Sequence, residues 1–237
     1  MATVNGIGST SLGSGSSTTL DLTATVAASQ TLLIAGVAQR SAAPAIVSVV
    51  WDPAGVGEAL SLAILEDSGG SSNGTDRDAA FYYKFSPTAG ASKVLQVTWG
   101  SATDRHGLVA AEVDGTTTVT APTTASDFDT GTTTTPTRTI TPGAANSIGF
   151  AFVSGGASQG PYTDASTPTL NEIYDFDIAG TNAPDVWLAE LNDLGAAASK
   201  TFAATCNNDE WAMVAVTFAP AAGVTTRRYS LPLTGVG

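Results

Sequence analysis

Apolar residues along the chain fall in short runs, some alternating with polar positions and some nearly unbroken. In "TLDLTATV" (19–26), Leu20, Leu22, Ala24 and Val26 occupy every second position, the period of a strand with one buried face. Similar runs predict strands at 31–39, 46–51, 59–65, 79–85, 93–99 and 107–113. The second half offers strands at 135–141, 147–153, 169–176, 186–191, 200–206 and 211–218. Gly, Pro, Asn and Asp punctuate them. Many short strands at fairly even spacing predict an all-β, antiparallel two-sheet sandwich, jelly-roll-like in outline. One segment competes for a helix: in "DVWLAELNDLGAAASK", Trp187, Leu191 and Leu194 are spaced i, i+4, i+7.

An internal repeat argues for strands there too. "AAFYYKFSPTAGASKVLQVTW" (79–99) lies over "VWLAELNDLGAAASKTFAATC" (186–206) without a gap, placing Ser92-Lys93 on Ser199-Lys200. "DRHGLVAAEV" (104–113) then lies over "DEWAMVAVTF" (209–218), and "LTATVAASQTLLIAGVA" is similar to "RTITPGAANSIGFAFV". The chain therefore divides into a Gly/Ser-rich arm (1–17), a sandwich (18–220) of quasi-repeat halves at about 18–114 and 134–219, and an extension (221–237). Two arrangements are open. One sandwich could draw each sheet from both halves, or two small sandwiches could stand in tandem.

The order "LLIAGVAQR … VSVVWDPAGVGEALSLAILEDS … AAFYYKFSPTAGASKVLQVTW … LVAAEVDG", closed by "WAMVAVTFAP", resembles β-sandwich domains of tailed-phage structural proteins and bacterial surface proteins. The resemblance covers about residues 18–220. It implies a jelly-roll-like or concanavalin-like sandwich used for display, assembly or adhesion.

Charge narrows the partners. With 9 Lys plus Arg against 21 Asp plus Glu, the net charge is −12, and such a body repels phosphate backbones. No apolar run reaches the length of a membrane span. "MATVNGIGSTSLGSGSS" carries no basic n-region or apolar core, so a chain made and kept without a secretory leader is expected. A single cysteine, Cys206, permits no intrachain disulfide.

Candidate chemistry is thin, and no enzyme and no cofactor are expected. His106 is the only histidine, so a Ser-His-Asp triad would have to run through it, and no Gly-x-Ser-x-Gly elbow is present. It aligns with Trp211, as Cys206 does with Trp99; both are expected to be packing residues. Asp76/Asp78, Asp127/Asp129 and Asp175/Asp177 each place two carboxylates on one strand face. Asp175 and Asp177 are the best weak candidates for Ca²⁺, which takes six to eight oxygens. Tyr82, Trp99 and Trp187 are candidates for stacking on sugar rings, an expectation tied to a carbohydrate-binding or adhesin module that contacts host surface glycans. In "FYYKF", strand alternation with Phe81, Tyr83 and Phe85 inward turns Tyr82 outward.

The tail "RRYSLPLTGVG" contains Leu-Pro-x-Thr-Gly, the motif of sortase anchoring. Only Val236 and Gly237 follow it, without the apolar stretch and basic tail that such anchoring needs. What remains is a basic and apolar peptide behind an acidic body. Arg227, Arg228, Tyr229, Leu231 and Leu233 are expected to dock on a partner, as Arg and Tyr do at interface centres and extended peptides do at sheet edges. Together these features predict a non-enzymatic virion protein, a head decoration or a tail or fibre component. Its expected partners are other virion proteins and itself, as a homo-oligomer.

Overall fold

A computed structural model describes residues 3–13, 15–40, 45–67, 77–103, 105–114, 121–130, 133–156, 161–178, 184–207 and 210–220. The first half contains β1 (Thr3–Leu12), β2 (Ser17–Val26), β3 (Gln30–Arg40), β4 (Ile46–Trp51), β5 (Glu58–Ala59), β6 (Ser61–Asp67), β7 (Arg77–Phe85), β8 (Gly90–Thr103) and β9 (His106–Asp114). The second contains β10 (Thr123–Thr130), β11 (Thr137–Ile140), β12 (Ile148–Gly155), β13 (Thr163–Asp164), β14 (Asn171–Asp177), β15 (Asp185–Leu191), β16 (Lys200–Thr205) and β17 (Glu210–Phe218). All pairings are antiparallel.

The expected antiparallel sandwich is present, and it is doubled. Among the described residues, no sheet mixes strands from the two halves. The first half builds a five-stranded sheet, β1-β9-β3-β7-β6, and a four-stranded one, β2-β8-β4-β5. The second builds β10-β17-β12-β15-β14 and β11-β16-β13. The two five-stranded orders match strand for strand. They pack face to face in reverse, with β6 against β10, β7 against β17 and β12, and β1 against β14. The result is a four-layer stack with three cores. The arrangement in which each sheet draws on both halves is thereby corrected.

The sequence pattern accounts for the layers. β2 alternates between buried and solvent-facing positions because its sheet is an outer layer with one wet face. β9, β12 and β17 are buried nearly throughout because their sheets are covered on both sides. In β3, Leu32, Ile34 and Ala38 enter the central core, while Leu33, Ala35 and Val37 enter the core of the first half. The third core, between the sheets of the second half, gathers Ile140, Trp187, Leu194, Phe202 and Met213.

Two local expectations change. Residues 3–12 of the expected arm form the edge strand β1, paired with β9 from Thr3↔Asp114 to Leu12↔His106. The segment with helical spacing is strand β15, followed by a turn and β16; its side chains serve two cores rather than one stripe.

The central interface has a knob and a hole at equivalent positions. Gly36 stands beside Phe81 and Val109, and Phe152 stands beside Leu188 and Val214. A Cβ on Gly36 would lie 2.6 Å from Phe152 Cε2, so glycine is required where that ring crosses from the other half. Phe150 extends the contact, 5.7 Å from Phe81 between ring centres.

Candidate functional site

The chemistry-bearing side chains collect at one end of the stack, where β3 and β12 finish and β7, β9, β15 and β17 begin. Gln39 links two of them: its amide nitrogen donates to Asp78 Oδ2 (2.9 Å), and its oxygen accepts from Trp99 Nε1 (2.7 Å). All three are buried. His106 is fully buried with its ring 4.1 Å from that of Trp99. Arg77, 1% exposed, crosses between the halves and donates from Nε to the Gly155 carbonyl (3.0 Å). Asp78 and Asp185 occupy equivalent positions, opposite Asp67 and Asp177 respectively.

On the second half, Tyr162 is buried and its ring centre lies 6.3 Å from that of Trp187. Burial pushes the Tyr162 hydroxyl well above its ordinary pKa; Cys206, Asp185 and Asp175 add to the rise, and Arg77 opposes it. Asp175 is also pushed up, first by burial and then by Glu172 and Asp177, while the Tyr162 N–H donated to Oδ2 (2.9 Å) pulls it down. At this end each half has its own polar link, and the Arg77–Gly155 hydrogen bond joins the two halves. His106 is enclosed here with its ring against that of Trp99.

The aromatic candidates are elsewhere than expected. Trp187 is 0%, Trp99 2% and Tyr82 8% exposed, so none offers a ring face to a sugar. Alternation placed Tyr82 outside on the premise that its sheet had a wet face. That sheet is an inner layer, and Tyr82 enters the first core, where burial pushes its hydroxyl up to about 12. Asp175 and Asp177 share a face of β14, but among the described residues no group of three acidic, His or Cys side chains could hold a metal ion. Asp175 is a partner of Tyr162 instead. Asp127 accepts from Arg138 (3.4 Å) and Asp129 from the Thr133 N–H (3.2 Å). Arg227, Arg228, Tyr229, Leu231 and Leu233 lie outside the described residues, as does Asp76.

A second locus went unread in the sequence. On the flank where β1 lies over β14, a cleft of about 410 Å³ is lined by Val4, Asn5, Gly6, Glu172, Tyr174 and Glu190, among others. The Tyr174 hydroxyl spans the layers and accepts the Gly8 N–H (2.7 Å). Its pKa is raised by burial, against the pull of that N–H. Glu190 is 5% exposed. Its Oε1 accepts from Asn171 Nδ2 (3.0 Å), while Oε2 is buried with no hydrogen-bond partner among the described residues. Burial raises its pKa, and Asn171 lowers it. The signal was a lone acid in "VWLAEL", a run otherwise apolar.

No protein-family model matches the chain, and no significant match is found among curated proteins.

Proposed function

We propose that this chain is a non-enzymatic structural component of a tailed-phage virion, a head decoration or a part of the tail or fibre. It assembles with neighbouring virion proteins and with copies of itself, and residues 221–237 serve as the docking extension. The observation that carries the reading is the way the two halves associate. Two units of like topology meet through the faces of their five-stranded sheets and bury a continuous apolar core, as subunits of an obligate assembly do. The unit is thus one suited to pairing with its own kind. The resemblance of residues 18–220 to phage sandwich domains points the same way, and so does a basic, apolar tail on an acidic body.

Immunogold labelling of purified phage particles tests the assignment: label at a regular position is expected, and particles without label would refute it. Deleting residues 224–237 should abolish incorporation while leaving the unfolding transition of the sandwich in place. Normal incorporation of that truncation would remove the docking role.

A further inference from the structure

The flank cleft combines features that call for a cationic guest. Glu190 is held between the layers with one oxygen satisfied and one unpaired among the described residues, and a buried acceptor left unpaired is costly. Glu172 stands in the wall of the same cleft. On the other side Gly6 lets β14 approach β1 closely, since a Cβ there would lie 2.7 Å from the Tyr174 hydroxyl oxygen and 2.9 Å from Ile173 Cγ2. A hard divalent cation would need several more oxygens. A guanidinium needs only a carboxylate edge, and its planar fork suits a slot between two sheets.

The chain itself carries such a group. Arg227 and Arg228 are adjacent, on a body of net charge −12, and apolar Tyr229, Leu231 and Leu233 follow. The cleft lies toward the same end of the stack as Pro220: Val4 pairs near Asp114, Glu190 pairs with Phe150, and Phe218 pairs with Ile148. From Pro220 to Leu233 an extended chain spans up to about 45 Å, enough to leave one molecule and lie on the flank of another. We propose that the cleft between β1 and β14 receives the Arg227–Arg228 pair from a second copy of this chain, with Glu190 as the principal acceptor and Glu172 as the second. The proposal rests on the assembly reading above and names the contact through which copies would join.

Sedimentation equilibrium of the full chain at low salt tests it, using Glu190→Gln, the pair Arg227→Gln/Arg228→Gln, and all three changes together. Each single arm should weaken self-association at least about tenfold, as removing one member of a desolvated charge pair does. The combination should be no weaker than the arginine pair alone, because both arms remove the same contact. Matched thermal melts show whether Glu190→Gln stays folded. Additive effects, an unaffected Glu190→Gln, or a chain that never self-associates would each overturn the proposal. In a second arm, Arg227→Lys/Arg228→Lys is mixed as heavy-isotope and light chains and treated with a carbodiimide. Links from residue 227 or 228 to Glu190 or Glu172 between heavy and light chains are expected; links confined to single chains would overturn the second-copy occupant. Particles that carry immunogold label while these tests fail would overturn the cleft and leave the virion assignment standing.

Discussion

Where the first half has Gly36, the second has Phe152; where the first has Leu62 and Leu65 on its edge strand, the second has Glu172 and Asp175. The halves share strand order and pairing, so these differences mark where equivalent positions meet different surroundings. At the centre, two copies of one sheet cannot meet in register with a large ring at both matching positions. One copy supplies the knob and the other the hole. At the buried end, the first half keeps Gln39 to link Asp78 and Trp99, while the matching position in the second half is Gly155, whose carbonyl receives Arg77 from the first. Asymmetry is greatest where the halves touch or face different surroundings.

The largest test of that asymmetry is the knob. Phe152→Ala leaves the hole at Gly36 unfilled at the centre of a fully buried interface and should cost about 3–5 kcal/mol, read from the urea midpoint at constant m-value. The opposite change, Gly36→Ala, overfills the hole and should cost about 1–3 kcal/mol. If Gly36→Ala were neutral, the close approach of the two sheets would not be a constraint.

Next comes the buried polar link. Gln39→Ala strands the Trp99 N–H and one Asp78 contact, each buried, for a loss of about 1–3 kcal/mol per group. Ser154→Ala, near the matching end of β12, removes a buried hydroxyl that has no hydrogen-bond partner among the described residues and makes the control; an equal loss there would place the effect in general end packing. A loss at Gln39 below about 0.5 kcal/mol would mean that the Gln39–Asp78–Trp99 chain is not what holds this end.

Glu190 gives a pH-dependent contrast, because Tyr83 occupies its matching position in the first half. Burial raises the folded-state pKa of Glu190 above its ordinary value of 4.5. The protonated carboxyl therefore favours the fold at pH below that value, and this contribution is lost as pH rises through the folded pKa. In dilute solution, Glu190→Gln should melt close to the wild type at about pH 4 and increasingly above it toward pH 7. A difference that stays flat with pH, or that runs the other way, would show Glu190 to be stabilised as a carboxylate within the single chain.

Most strands could be read from the residues, and the reason is burial. β3, β9, β12 and β17 present apolar side chains to two cores, and β2 presents them to one, so their runs stand out. β1 and β10 escaped assignment although the opposite edge strands of their sheets, β6 and β14, were read. The small and polar residues of β1 and β10, such as those of "TVNGIGSTSL", carry little alternation. The layer order could not be read at all: period two tells which face is covered, not which sheet covers it. The same limit misplaced Tyr82 and Trp187, since an aromatic on the outward side of a two-layer sandwich becomes a core residue when a further layer is added; Trp99 is buried because it sits on the inward face of the outer-layer strand β8. Glu190 was missed because a lone carboxylate resembles any other surface acid until the strand around it is seen to be inner.

The smallest expected effect is at the open edges. Leu62 and Leu65 are 49% and 48% exposed on β6, and their counterparts Glu172 and Asp175 show that this topology accepts carboxylates at both places. Leu65→Asp should therefore change the unfolding free energy by no more than about 0.5 kcal/mol. It should also lessen sideways association of the chain, because a charge on an edge strand discourages pairing with another sheet. The reverse change is not equivalent: Asp175→Leu would strand the Tyr162 N–H that Asp175 accepts. Light scattering after size exclusion, together with urea unfolding, separates the outcomes. A stable Leu65→Asp with unchanged association would mean that the β6 edge is merely tolerated as apolar surface. A loss above about 2 kcal/mol, the scale of a lost core contact, would mean that Leu65 packs as part of a core, and that the two edges have diverged further than their shared pairing implies.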